Sequence, residues 1–187
     1  MNNKLERLSR RTVLEGRVVD FCRDTVRLPD GVVQEWDFIH HKKGGGACVV
    51  PVLPDGRVLA IRQARPAIGE ETLELPAGAR ETPDEEAALT AMRELREETG
   101  YEADCLQLLT KLQTADAWCD ETTEVFLAQN ITPCGGQELD EAEAITLEAH
   151  PLDELLDMIF AGEIQDAKTV AGLAAYAVWK ARGGYGR

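Results

Sequence analysis

Three glutamates, Glu94, Glu97 and Glu98, lie close together in the middle of the chain, and their spacing limits what this segment can form. On a helix, residues three and four positions apart lie one turn from each other, so the three carboxylates would share one face. Like charges in one place repel one another unless a cation lies between them. Carboxylate oxygens suit Mg²⁺, with Mn²⁺ as a possible substitute, better than they suit zinc. The spacing predicts a helix with a metal site, although a solvated acidic face is the commoner structure for such residues.

The bounds of this helix are predicted from the residues that flank it. Thr82 is a favourable N-cap, Pro83 suits the first helical position, and Glu85 completes a capping box. Gly100 is expected to end the helix after Thr99. Apolar residues at helical spacing form the predicted core face: Ala88, Met92 and Leu95.

Two neighbouring features favour a metal site over a solvated face. The turn Pro76-Ala77-Gly78 precedes the helix, and its glycine allows backbone carbonyl groups to approach a ligand closely. Arg93 stands four residues before Glu97 and is expected to hold that carboxylate in position. We therefore expect a divalent cation where the turn meets the helix.

The rest of the chain consists of short apolar segments and turns, with two further helical segments near its end. Two hairpins with Pro-Asp-Gly turns are predicted, pairing residues 13–21 with 32–39 and residues 47–53 with 58–62. Further strands are predicted at 106–112, 124–128 and 144–148, and closing helices at 151–160 and 166–180. Strands mixed with three helices predict an α+β sandwich, not a regular βαβ repeat.

Charge and cysteine content restrict the function and the location. The net charge of −14 would repel the phosphates of DNA or RNA, so no nucleic acid polymer is expected as a partner. Five cysteines without a C-x-x-C pair argue against a disulfide framework or a zinc site and favour the reducing cytoplasm. No apolar run approaches the ~20 residues of a membrane span, and residues 1–17 lack the apolar core of a signal peptide. We therefore expect a cytoplasmic protein that does not associate with membranes.

The segment from Arg93 to Tyr101, Arg-Glu-Leu-Arg-Glu-Glu-Thr-Gly-Tyr, resembles the signature of the Nudix hydrolases. In that signature a glycine and a spacer with one acid come first, and the acid corresponds to Glu85. The expected glycine would fall on Ala79, whereas the glycine of this chain is Gly78, so the loop is one residue longer than usual. The resemblance implies a Nudix-type α/β/α sandwich with a mixed sheet in residues 46–187. Residues 1–45 would form an N-terminal antiparallel β region that takes part in a homodimer.

The segments before the helix and near the end of the chain narrow the resemblance to the ADP-ribose pyrophosphatase branch. Residues 61–66, Ile-Arg-Gln-Ala-Arg-Pro, and residues 73–78, Leu-Glu-Leu-Pro-Ala-Gly, are similar to that branch, although an aromatic residue usually stands where Ala64 does. The segments 120–121, 140–145, 151–155 and 166–169 are also similar. The resemblance implies hydrolysis of ADP-ribose to AMP and ribose 5-phosphate.

The resemblance also assigns roles to individual residues. The implied metal ligands are Ala77, Glu94, Glu97 and Glu98. The implied catalytic residues are Arg93, Glu97 and an acid of the late loop, either Glu141 or Glu143. The expected substrate contacts are Arg62, Arg65, Glu74 and Trp118, with both arginines on one face of a strand and Trp118 stacking on the base. Trp36 is expected in the core.

Two other functions stay open on the sequence alone. The substrate could be another nucleotide sugar or a dinucleotide. A non-hydrolytic Nudix module that senses a nucleotide is the other alternative, but such a module is expected to lose acids from the helix, and none is missing here.

Overall fold

The computed structural model describes residues 4–139 and 144–184. An antiparallel three-stranded sheet comes first, formed by β1 (Glu6–Glu15), β2 (Val19–Arg27) and β3 (Val33–His41). The turn predicted at residues 28–31 is confirmed, since Gly31 has a positive φ of 89° and its amide donates to Leu28 O at 2.9 Å. The strand predicted over residues 13–21 is wrong. The chain turns between β1 and β2 because the Gly16 amide donates to the carboxylate of Asp20 at 3.1 Å.

A mixed sheet forms the centre of the molecule. Among the described residues, seven strands form this sheet: β4 (Gly45–Val52), β5 (Val58–Arg65), β6 (Glu70–Glu74), β7 (Ala77–Ala79), β9 (Gln107–Gln113), β10 (Thr122–Gln129) and β12 (Ile145–His150). The order is β12-β5-β4-β10-β9, with β6 paired to β5 and β7 to β4. The pair of β4 and β10 is parallel, and the other pairs are antiparallel. Two short strands, β8 (Tyr101–Glu102) and β11 (Thr132–Pro133), pair with each other.

Helices cover both faces of the central sheet. These are α1 (Ala87–Thr99), α2 (Leu152–Ala161) and α3 (Ala167–Ala181). Along β4, Val49 packs into the apolar cluster beneath α1, whereas Val50 packs into the cluster beneath α2 and α3. Both faces of the strand are therefore buried, as its uninterrupted apolar sequence requires. The predicted α+β fold, an α/β/α sandwich with a mixed sheet behind N-terminal antiparallel strands, is confirmed. The domain boundary between residues 45 and 46 stays a prediction.

The predicted start of α1 is wrong, and its predicted end is confirmed. Thr82 closes a separate turn by accepting a hydrogen bond from the amide of Glu85 at 3.2 Å, so the capping box does not form. The helix begins four positions later than predicted, at Ala87, and its N-cap residue Glu86 makes no side-chain capping bond. Its last residue is Thr99, and Gly100 follows in the left-handed conformation with a φ of 71°.

The core face of α1 is also displaced from the predicted one. Ala87, Ala91 and Leu95 are buried, whereas Met92 is 39% exposed. Ala88 is only partly buried. The buried residues follow at intervals of four, and this orientation turns Met92 toward solvent. None of the helices within residues 4–139 and 144–184 is long and apolar enough to cross a membrane.

Candidate active site on the first helix

The carboxylate of Glu94 lies directly against Gly78. A Cβ atom at position 78 would lie 2.0 Å from Glu94 Oε1, which is far inside van der Waals contact. Glycine at position 78 therefore leaves room for the Glu94 carboxylate, and any larger residue would require that carboxylate to move. The glycine that packs against the acidic helix is Gly78, not residue 79. The extra residue of the loop therefore lies between this glycine and the helix.

Glu98 is fixed by the backbone of the same turn. The amide of Ala77 donates to Glu98 Oε2 at 2.9 Å. Glu94 and Glu98 are 8% and 2% exposed, so both carboxylates are largely removed from water. They line one cavity of about 350 Å³ together with Ala77 and Gly78.

Arg93 holds two of the three carboxylates of α1. Its Nη1 atom lies 2.7 Å from Glu94 Oε1 and 2.9 Å from Glu97 Oε2, and its Nη2 atom donates to Ala79 O at 2.9 Å. The hydrogen bond that the spacing of Arg93 and Glu97 predicts is therefore present. Glu97 is more exposed than Glu94 and Glu98, and it is not among the residues that line the cavity.

The residues around this cavity fit a hard divalent cation. No three His, Cys, Asp or Glu side chains converge as a ready metal cage among residues 4–139 and 144–184. Glu94 and Glu98 nevertheless supply two buried carboxylates to one cavity, next to the backbone of Ala77 and Gly78. Carboxylate and backbone carbonyl oxygens are the ligands that Mg²⁺ and Mn²⁺ prefer.

Replacing Gly78 by alanine is expected to lower kcat/KM by roughly tenfold and leave the melting temperature close to that of wild type. The added Cβ meets only the flexible end of Glu94, so the carboxylate moves while the backbone stays in place. A displacement of about 1 Å at a reacting centre can cost 10²-fold in rate. Gly135→Ala is the matched control, because a Cβ there meets nothing within 4 Å. Full activity in Gly78→Ala would show that the position of Glu94 does not matter.

Glu74 lies in a buried ionic cluster. Arg65 donates to both of its carboxylate oxygens, at 2.7 and 2.6 Å, and Lys168 and Thr72 also donate to it. Glu74 is only 1% exposed. Burial raises the pKa of Glu74, but the hydrogen bond from Arg65 and the charge of Lys168 outweigh this effect and lower it to about 2. The structure thus gives Glu74 internal partners, and its role in substrate binding stays a prediction.

Lys168 connects this cluster to the start of α3. Besides Glu74, it contacts Asp166 Oδ1 at 2.9 Å. Asp166 caps α3 by accepting from the amide of Thr169 at 2.9 Å, and Thr169 Oγ1 accepts from the amide of Leu75. The strand that leads into the Pro-Ala-Gly turn is therefore fixed to α3 on one side and to Arg65 on the other. Lys168 was not among the predicted site residues, because its partner Glu74 is distant in the chain.

The expectation that Arg62 and Arg65 share one face is wrong. Arg65 lines the cavity of Glu94 and Glu98, whereas Arg62 donates to both carboxylate oxygens of Glu148 on β12, at 2.6 and 3.2 Å. Alternate side chains of a strand point to opposite faces, so residues three apart cannot share one. The hydrogen bond from Arg62 lowers the pKa of Glu148.

Aromatic residues line a second cavity, between β3 and the loop before β10. This cavity of about 540 Å³ is lined by Trp36, Phe38 and Arg10, so Trp36 is not a core residue as expected. Trp118 is 55% exposed, and its carbonyl accepts from the amide of Ile39 at 2.7 Å. Its chain neighbour Cys119 lines this cavity, but Trp118 itself does not. Its predicted stacking on a base stays a prediction.

The two late-loop acids, Glu141 and Glu143, lie outside the described residues. The described residues just before them contact the end of α1. The amide of Glu138 donates to Glu97 O at 2.8 Å, and the Gln137 side chain donates to Glu98 O at 2.7 Å. Gln137 and Glu138 therefore contact the backbone of the last turn of α1, and the role of the two acids stays a prediction.

Known proteins resemble this chain over most of its length. A family model described as the NUDIX domain matches residues 42–173. The ADP-ribose pyrophosphatase of Bacillus subtilis (strain 168) is 33% identical over 172 residues, covering 91% of this chain and 89% of that protein. The ADP-ribose pyrophosphatase of Mycobacterium tuberculosis is 34% identical over 175 residues, covering 92% of this chain and 84% of that protein.

A solved structure shares the whole fold. The crystal structure of an ADP compounds hydrolase superposes with a TM-score of 0.82, covers 97% of both chains and is 24% identical in sequence. At that identity the similarity concerns the fold alone. The family model, by contrast, covers more than half of the chain and includes the acidic helix and its glycine turn. The chain therefore belongs to the Nudix family of pyrophosphohydrolases.

Proposed function

We propose that this enzyme hydrolyses ADP-ribose to AMP and ribose 5-phosphate with Mg²⁺, or Mn²⁺ in its place. The observation that carries the proposal is the pair of buried carboxylates, Glu94 and Glu98, in one cavity against the Ala77-Gly78 turn. Two relatives that cover most of the chain are named ADP-ribose pyrophosphatases, which supports the substrate.

Residues of α1 and the turn would hold the cation: Glu94 and Glu98, with Glu97 and the backbone of Ala77 beside them. A divalent cation, when bound, neutralises the charge that builds up on the diphosphate oxygens during attack by water. The chain itself keeps these groups in place. The Ala77 amide orients Glu98, and Arg93 orients Glu94 and Glu97. An acid of the late loop, Glu141 or Glu143, is proposed to take the proton from the attacking water.

A row of three cavities supports a substrate that carries a group on each side of its diphosphate, as a nucleoside diphosphate derivative does. A third cavity, of about 320 Å³, shares Ala77, Gly78 and Ala79 with the cavity of Glu94 and shares Glu121 with the aromatic cavity. The three cavities thus follow one another from the acidic helix to Trp36. In our proposal the diphosphate lies at the acidic helix, and the base lies toward the aromatic cavity.

A panel of nucleotides with Mg²⁺ tests the substrate. We expect a higher kcat/KM for ADP-ribose than for nucleoside triphosphates, since the cavities extend on both sides of the Pro-Ala-Gly turn. Other nucleotide sugars and a dinucleotide belong in the panel. Much faster cleavage of triphosphates would refute the assignment to ADP-ribose, and preference for another nucleotide sugar would replace it.

We also propose that the protein is a homodimer through residues 1–45. The sheet of β1, β2 and β3 leaves several apolar side chains in solvent, among them Leu8, Leu14 and Val33, which are 40%, 68% and 51% exposed. Burial of such a surface by a second copy would be favourable. Light scattering is expected to give twice the chain mass of 20.6 kDa. The mass of a single chain at working concentration would exclude the dimer.

A further inference from the structure

The cavity at the acidic helix contains three cations, and two of them are already paired. Arg65 is held by both oxygens of Glu74, and Arg93 lies between Glu94 and Glu97. The third is Lys43, in the turn between β3 and β4. Its side chain is exposed, and it makes no ion pair within 4 Å among the described parts of the chain. Lys43 is therefore the cation of this cavity that can contact a ligand at no cost to an internal pair.

The backbone on both sides of Lys43 is held in place. The amide of Lys42 donates to Val18 O at 3.1 Å, a backbone bond that the Lys42 side chain does not supply. Lys42 Nζ lies 3.2 Å from Asp20 Oδ1, and Lys42 does not line the cavity. On the other side, the carbonyl of Gly44 accepts from the Thr122 amide at 3.2 Å. The Lys43 side chain thus extends from a fixed point, and a ligand need order only that side chain.

The glycines after Lys43 bring this turn close to the catalytic turn. A Cβ at Gly45 would lie 1.8 Å from Thr122 O, and a Cβ at Gly46 would lie 2.0 Å from Gly78 O. Because Gly45 and Gly46 have no side chains, the backbone at the start of β4 can lie in direct contact with β10 and β7. Gly78 is the residue that contacts Glu94, so Lys43 lies at the edge of the cavity where we place the diphosphate.

A cation at this position would offset the negative charge that opposes binding of an anionic substrate. The chain carries a net charge of −14, and Glu81, Glu94 and Glu98 line the cavity, so the field opposes an anionic substrate. The ammonium group of lysine binds phosphate oxygens as a point charge.

We propose that Lys43 contacts a phosphate oxygen of the bound nucleoside diphosphate and thereby contributes to substrate affinity but not to the chemical step. This inference rests on the proposed function and adds to it a substrate contact from the Lys42-Lys43-Gly44-Gly45-Gly46 turn.

Binding and turnover are measured separately to test this proposal. The binding probe is the non-hydrolysable α,β-methylene analogue of ADP-ribose, titrated calorimetrically with Mg²⁺ present. Turnover is measured with ADP-ribose. The variants are Lys43→Met, which keeps the length and removes the charge, Lys43→Arg, which keeps the charge, and Lys42→Met as the neighbouring control.

Lys43→Met is expected to raise both Kd and KM by about fivefold, the upper range for one exposed ion pair, and to leave kcat unchanged. Added salt should weaken binding by wild type more than binding by Lys43→Met. Lys43→Arg should bind nearly as well as wild type, and Lys42→Met should behave as wild type.

Three outcomes would overturn the proposal, and they are distinguishable from one another. Unchanged binding by Lys43→Met overturns the Lys43 contact alone and leaves the proposed function intact. An equal loss in Lys42→Met would mean that only general surface charge matters. Absence of both binding and turnover in the wild-type protein would remove the proposed function and the Lys43 contact together.

Discussion

Glu98→Gln and Glu97→Gln are each expected to lower kcat by roughly 10² or more, as for the loss of one preorganised electrostatic group. Glutamine keeps the shape of each side chain. At position 98 its oxygen can still accept from the Ala77 amide, so the turn should stay in place. What is lost is the negative charge that would bind the cation. The effect should therefore fall on the reaction and not on the fold.

The stability of the same variants separates a metal site from a solvated helix face. Without metal, removing one of several like charges should leave the melting temperature unchanged or raise it slightly. Magnesium should raise the melting temperature of wild type more than that of either variant, because a ligand that binds only the folded state stabilises it. Glu102→Gln is a suitable control, since Glu102 is exposed just beyond α1.

Two results would count against the site. One is full activity in both variants. The other is an equal magnesium-induced shift in the variants and in wild type, which would mean that the carboxylates of α1 form only a solvated face.

Glu74→Gln is expected to lower the free energy of unfolding by about 3 kcal/mol, near the lower end of the range for breaking a buried ion pair. The change leaves Arg65 and Lys168 facing a neutral amide. Arg65 is partly exposed, so water can solvate its charge once the carboxylate is lost. A loss of stability at the upper end of that range is therefore not expected. Urea denaturation followed by circular dichroism measures the difference. Glu71→Gln on the same strand, where Glu71 is exposed, should change stability little.

The pH dependence of this effect has a defined sign. The pKa of Glu74 lies at about 2 in the folded protein, below its ordinary value of 4.5. A lowered folded-state pKa contributes stability above the unfolded value, and this contribution is lost as pH falls. The difference between wild type and Glu74→Gln should thus be largest above about pH 5 and shrink toward pH 2. A difference that does not change over this range would mean that the ionisation of Glu74 does not stabilise the fold.

Features set by neighbouring residues could be predicted from the sequence. The end of α1 at Gly100, the turn at Gly31 and the shared face of Glu94 and Glu98 depend on local geometry, and the structure agrees with each. The hydrogen bond from Arg93 to Glu97 follows from their spacing on one helix.

Features set by distant residues could not be predicted in this way. The cap signals at Thr82 form a turn instead, because the chain must first leave β7 before α1 can pack on the sheet. The partners of Arg62 and Arg65 lie on other strands, so their pairing depends on the register of the sheet. The contact of Lys168 with Glu74 joins α3 to β6, and no local pattern indicates it.

The products formed from ADP-ribose test the central claim most directly. Wild-type protein with Mg²⁺ and ADP-ribose should yield AMP and ribose 5-phosphate in equal amounts by mass spectrometry. Glu98→Gln should yield both at roughly one hundredth of that rate or less. Wild-type protein that leaves ADP-ribose intact, or that releases ADP and ribose, would contradict hydrolysis of the diphosphate at this site.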